Sequence, residues 1–183
     1  MSESYLIDDV LTHHLKAVFC GTALGHESLR QRAYYAKAGN QFWPVLYRTG
    51  LTPRLLSPQE YPLMPSLGYG LTDLCKTASG NDDQLPANAF DAPALQHKIL
   101  TYQPHILAFT SKNAASAFLQ KPVGQIAYGL QKPMIGRTQL FVLPSTSGQA
   151  RRWWREDIWY SFAQHVKKHG WEQGKQCWCR APA

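Results

Sequence analysis

The sequence predicts an α/β protein: a three-layer α/β/α arrangement around a central, mostly parallel four-stranded sheet. Three observations predict it. Four short apolar runs, each closed by a glycine, a proline or a polar loop, read as buried strands: Lys16–Cys20, Tyr69–Leu74, His105–Thr110 and Gln139–Leu143. Segments with helical spacing alternate with them, which favours parallel strands with helices on both faces. With 183 residues, 44% hydrophobic and 17% charged, the chain is long and apolar enough for a real core, expected as a single domain over residues 1–183.

Taken in order, Tyr5–Leu11 reads as a short amphipathic helix, followed by the first strand. Gly21 to Arg32 reads as a polar loop. Asn40 can cap a helix through Phe42, Trp43, Val45, Leu46 and Tyr47 that stops at Gly50, with Pro44 in the first turn, where its missing donor is harmless. Ser57-Pro58-Gln59-Glu60 is a helix start. The second strand is followed by a polar loop from Thr77 to Pro86. Ala92–Tyr102 has helical spacing and ends before Pro104. Ser111 opens a short helix over Lys112–Leu119. The fourth strand closes at Pro144, and Arg151–His169 reads as a final helix burying Trp154, Ile158 and Phe162.

Lysine and arginine total 19 against 12 acidic residues, a net charge of +7. That balance suits a polyanion such as DNA, because cations that displace counterions from phosphates supply much of non-specific affinity. A basic protein with no nucleic-acid role has the same composition. No run approaches ~18 apolar residues, so no membrane span is expected. Met-Ser-Glu-Ser-Tyr has neither the basic nor the apolar region of a secretory signal, and a cytoplasmic monomer is expected. Cys20 and Cys75 sit in apolar runs as buried thiols. Cys177-Trp178-Cys179 is too tight for a zinc pair, and the histidines form no zinc set with a cysteine pair. Neither a metal nor a cofactor is expected.

Ligands of open α/β sheets bind outside the carboxyl ends of the strands. Gly21–Gly25, Asp73, Ser111 and Ser145–Gly148 all follow strands and should converge on one edge. Val18-Phe19-Cys20 leads into Gly21-Thr22-Ala23-Leu24-Gly25. Tyr34-Tyr35 is followed by Asn40-Gln41-Phe42-Trp43-Pro44. Gly70-Leu71-Thr72-Asp73-Leu74 and Val142-Leu143-Pro144-Ser145-Thr146-Ser147-Gly148 complete the set. In this order and spacing they resemble the active-site frame of the uracil-DNA glycosylase superfamily, closest to its mismatch-specific branch. In that branch a Gly-Ile-Asn-Pro-Gly loop follows a Val-Phe-Cys strand, and an Asn-x-Phe-Trp block and a Val-Leu-Pro-Asn-Pro-Ser-Gly loop come later. The Tyr-Tyr-Ala before Asn-x-Phe-Trp-Pro, and the Ser-Thr-Ser loop, also resemble the hypoxanthine-DNA glycosylase branch.

The resemblance implies a monofunctional DNA glycosylase that hydrolyses the N-glycosidic bond of a deaminated or modified base. The base could be uracil, hypoxanthine, xanthine or a 5-substituted pyrimidine. Tyr35 would stack on the flipped base. Gly21, Thr22, Leu24 and Asn40 would line its pocket, with backbone amides of the Thr22–Leu24 turn donating to a base carbonyl. Ser111, with Lys112 and Asn113, could read the base edge; a helix cap and a solvated lysine explain them equally well. Ser145, Ser147, Gly148, Gln149, Arg151 and Arg152 would form the loop that enters DNA, with Gln149 as wedge and the arginines on phosphates. A Gln wedge is less apolar than the family's usual Leu, which is expected to weaken duplex invasion or favour single strands.

One departure matters for the chemistry. Ala23 stands where the branch has its water-activating Asn. Asp73 is the carboxylate within the matched frame, and it is expected to take over that role or, alternatively, to cap a helix beginning at Leu74. Two other readings remain open: a DNA-binding sensor of damaged bases without catalysis, and a hydrolase of free nucleosides.

Overall fold

The computed structural model of the chain describes residues 4–176, and side chains up to residue 169. Its sheet has five strands rather than four: β1 (Ala17–Leu24), β2 (Tyr69–Ser79), β3 (Ile106–Phe109), β4 (Gly129–Ile135) and β5 (Thr138–Val142). They lie in the order β2-β1-β3-β5-β4. β1 is parallel to β2 and β3, and β3 is parallel to β5. β4 is the added strand, antiparallel at the edge, with an irregular register between Leu130 and Met134. Pro133 falls in that stretch, where an edge strand tolerates a missing donor.

Helices cover both faces. On one side, α2 (Phe42–Arg48) and α5 (Glu156–Gln176) bury Phe42, Trp43, Leu46, Trp159 and Phe162 against Phe19, Leu71, Ala108 and Phe141. The rings of Phe19 and Phe42 meet edge to face at 5.2 Å. On the other, α3 (Ala92–Tyr102) and α4 (Lys112–Leu119) bury Leu95, Ile99, Ala114 and Ala115 against Val18, Leu107 and Leu140. Asp91 and Ser111 cap these helices, accepting from the Ala94 and Ala114 amides, each at 3.0 Å.

Several segments differ from expectation. Gly21–Arg32 is not one loop: β1 runs on to Leu24 and α1 (His26–Gln31) follows. β2 likewise runs on to Ser79. Ser57–Glu60 does form a capping box, but it opens a 3₁₀ helix, Pro58–Leu67, that carries Pro62 and Pro65 inside. The last helical region is split: a 3₁₀ turn, Gly148–Trp153, ends before α5. α5 buries Trp159 and Phe162 most deeply, while Trp154 and Ile158 are only half-buried. Cys20 and Cys75 are free buried thiols; Cys177-Trp178-Cys179 lies outside the described residues.

The expected helix at Tyr5–Leu11 is instead an extended strap along the open edge of β2. The Leu6 amide donates to the Lys76 carbonyl (2.9 Å), and Val10 and Leu71 exchange amide-to-carbonyl bonds at 2.9 Å. The edge backbone needs partners, and the strap carries Asp9 into a buried charge cluster. Asp9 binds Lys76 at 2.9 Å and Lys98 at 2.5 Å, and accepts from the Thr72 hydroxyl at 2.7 Å. Burial pushes the Asp9 carboxyl up, but the two lysines and Thr72 together hold it below the usual range. Lys76 also donates to the Tyr34 hydroxyl (3.0 Å), which in turn donates to the Asp8 carbonyl (3.0 Å). Asp9→Asn leaves two largely buried ammonium groups without their carboxylate. The expected loss is about 3–5 kcal/mol in urea unfolding; an unchanged unfolding midpoint contradicts this role for the cluster.

Candidate active site

The parallel register of β1 and β2 sets Gly21 opposite Asp73. Asp73 therefore shares the face of Leu71, and Thr110, one step past β3, that of Ala108. A Cβ on Gly21 would lie 2.6 Å from Asp73 Oδ1, 3.5 Å from the Tyr35 hydroxyl and 3.6 Å from Thr110 Oγ1. Three oxygens thus converge over the bare Cα. Thr110 and Tyr35 share a hydrogen bond at 3.0 Å, and the Thr110 hydroxyl donates to the Cys20 carbonyl at 3.3 Å.

Asp73 is 5% exposed. Burial and the Asp9 charge push its carboxyl up to about 7, against Lys76, Lys98 and the Gly21 amide, which favour the ionised form. Its position inside β2 rules out the helix-cap alternative. Ala23 pairs with Cys75 in the same ladder, so residues 21–24 continue a strand and do not form the expected turn. Pairing of β1 with β3 stops at Cys20. Beyond it, one edge of Gly21, Thr22, Ala23 and Leu24 extends past the β3 ladder.

Tyr35 sits on a strained turn, with φ of 53°. Ser28 holds that turn: its carbonyl accepts from the Ala33 amide and its hydroxyl from the Ala36 amide, both at 3.0 Å. The Trp43 indole also donates to the Tyr34 carbonyl at 3.0 Å. The Tyr35 ring then lies flat on Phe42, with centroids 3.9 Å apart and an angle of 19°. Burial, with Asp73 nearby, raises its hydroxyl well above the usual value. Tyr35 and Asn40 line a cleft of about 510 Å³ together with Trp43 and Pro44. Asp73 borders a second cleft, of about 700 Å³, with Lys76 and Lys98. Asn40 Oδ1 accepts from the Phe42 amide at 2.9 Å and so starts α2.

The last loop is tied to this frame. The Gln41 amide donates to the Thr146 carbonyl (2.9 Å), and the Arg151 guanidinium lies over Gly39. Ser145 Oγ accepts from the Ser147 amide and Ser147 Oγ from the Gln149 amide, both at 3.3 Å. These serines shape the loop, while their hydroxyl protons remain available to a ligand. Gly148, Gln149, Arg151 and Arg152 are exposed.

Ser111 is not brought in as a base reader, since its side chain caps α4. Asn113 donates to Asp82 at 2.7 Å, and Thr22 donates to the other oxygen of the same carboxylate. Sequence reasoning missed Thr110, Asp82, Ser28 and the Asp9–Lys76–Lys98 cluster. Period-two alternation from Ile106 through Ala108 identifies Thr110; Asp82 comes from a loop with no local signal. Among the described residues, no group of three or more His, Cys, Asp or Glu side chains could hold a metal ion, and no helix is long and apolar enough to cross a membrane.

Residues 9–168 match the family model described as the uracil DNA glycosylase superfamily. Among solved structures, the chain is similar to the solution NMR structure of a proposed uracil DNA glycosylase from Methanosarcina acetivorans. Identity is 20%, the match covers 88% of this chain and 96% of that one, and the TM-score is 0.60. A likeness at that identity speaks for the fold.

Two outcomes test this geometry. Gly21→Ala drives a Cβ onto the Asp73 carboxylate and should cost on the order of 1–3 kcal/mol in unfolding free energy; an unaffected protein contradicts the packing. Asp73, raised from 3.8 to about 7, keeps its proton in the folded chain over a range where the unfolded chain has lost it. Its stability contribution is full below about pH 4 and is lost as pH rises through 7. Asp73→Asn should therefore gain on the wild type across that window, reaching about 4 kcal/mol by pH 8 at 1.36 kcal/mol per pH unit. Parallel melting curves from pH 4 to 8 read the difference.

Proposed function

This chain belongs to the uracil DNA glycosylase superfamily, and we propose that it is a monofunctional DNA glycosylase in which Asp73 takes the place of the family's Asn. The observation that carries this reading is the buried Asp73 carboxylate, raised to about 7, among Gly21, Tyr35 and Thr110. The target nucleotide leaves the stack at a cost of a few kcal/mol. Stacking on Tyr35 recovers about 1–3 kcal/mol of that. The bond from the sugar C1′ to the base nitrogen breaks, and the electron pair leaves with the base. Backbone amides on the edge of residues 21–24 that extends past β3 stabilise the charge developing on the base. The ionised Asp73 faces the oxocarbenium-like sugar and takes the proton of the water that adds to C1′. Asn40 and Tyr35 line the base site, while Gln149, Arg151 and Arg152 meet DNA.

The Lys76 amine is engaged by Asp9 and Tyr34, which supports hydrolysis by water without a Schiff base and without strand cleavage. No cofactor takes part. Uracil, hypoxanthine, xanthine and 5-substituted pyrimidines are the candidate bases. The near-complete burial of Asp73, together with Ala23, favours one second reading: a sensor that binds flipped bases and releases none.

Single-turnover excision on oligonucleotides carrying each base, single- and double-stranded, separates the two. Base release should rise with pH through about 7 as Asp73 loses its proton, then level off. Asp73→Asn should abolish release and leave DNA binding intact. Full activity in that variant contradicts the assignment, and retention of DNA without release of any base supports the sensor.

A further inference from the structure

The sequence places Trp153 and Trp154 side by side, and the structure sends them opposite ways. Trp154 packs towards the core, 6.3 Å from the Trp159 ring. Trp43 and Trp159 are buried. Trp153 is 60% exposed, the most exposed of the large hydrophobic side chains among the described residues. It ends the 3₁₀ turn that begins at Gly148. The Arg152 guanidinium lies over its ring, 4.8 Å from the centroid, a cation–π contact that holds the indole beside a positive charge. Arg151, in the same turn, lies over Gly39.

An exposed indole beside the Arg152 guanidinium suits a partner that is both anionic and aromatic. A nucleic-acid strand has both properties, and every base offers a face for stacking. Trp153 follows Gln149 on the same surface loop, across a kink at Ala150, so both side chains can meet one strand. Within an intact duplex both faces of each base are already covered by neighbours. A tryptophan therefore finds a free face only where the strand is single or locally unpaired.

We propose that Trp153 is the strand-holding aromatic of the DNA interface. It stacks on an unpaired base flanking the extruded nucleotide while Arg151 and Arg152 contact phosphates, and it biases the protein towards single-stranded or locally melted DNA. This rests on the glycosylase reading but concerns strand recognition and not the reaction. The residue lies on the surface, so replacing it should leave the fold intact, as circular dichroism can check.

The test measures binding of wild type, Trp153→Ala and Trp153→Phe to a lesion-free single-stranded oligonucleotide and to its duplex, with tryptophan fluorescence as a second readout. Trp153→Ala should weaken single-strand binding about 10-fold or more and change duplex binding much less. Trp153→Phe should keep most of the affinity but lose the fluorescence quenching that DNA causes in the wild type. Equal affinity of wild type and Trp153→Ala for the single strand overturns the proposal and leaves the glycosylase reading standing. An equal loss on both forms of DNA also overturns it, because it marks a groove or phosphate contact and not stacking. A wild type that binds neither DNA also overturns the proposal, while base release from lesion-bearing oligonucleotides decides the glycosylase reading separately.

Discussion

Gly21 and Asp73 face each other across two parallel strands, and only hydrogen occupies the position where any other residue would put carbon. The Asp73 carboxylate fills that space, 2.6 Å from the missing Cβ. Tyr35 and Thr110 then reach the same point from a strained turn and from the end of β3. The arrangement depends on register. A slip of one residue between β1 and β2 turns Asp73 to the opposite face, among Leu74, Leu95 and Ile99. Beside this pairing Tyr35 lies on Phe42, and the strap covers the open edge of β2.

Charge is the second constraint. A carboxylate this deeply buried is costly to ionise. Asp9 increases that cost, while Lys76 and Lys98 reduce it. The two lysines are themselves held by Asp9, so the N-terminal strap tunes Asp73 through charges that line a cleft with it. The balance leaves Asp73 near neutrality, where a small change in its surroundings moves its proton. Such a carboxyl suits a group that acts on water, and it opposes maximal stability at the same site.

Strands buried on both faces were legible from the sequence. Ala17–Cys20, Ile106–Phe109 and Leu140–Val142 are unbroken apolar runs because helices cover them on either side. β4 was not legible, since an edge strand with Pro133 beside the polar pair Gln131-Lys132 carries no such run. The strap was misread because Leu6, Val10 and Leu11 fit helical spacing, whereas the open edge of β2 offers hydrogen bonds that no local pattern reveals. Within the candidate site, motif order pointed to Gly21, Tyr35 and Asp73. Spacing along the chain could not show that Ser111 is committed to α4, that Asp82 reaches Thr22, or that adjacent tryptophans part company at residue 153. Those depend on distances between segments far apart in sequence.

The space above Gly21 holds a carboxyl whose pKa burial raises strongly. A carbon-13 NMR titration of the Asp73 carboxyl carbon measures it without reference to any substrate. The midpoint should fall near 7, with the Tyr35 ring signals moving in step as the charge appears beside them. A midpoint at or below about 4, the range of an ordinary aspartate, would contradict the raised value.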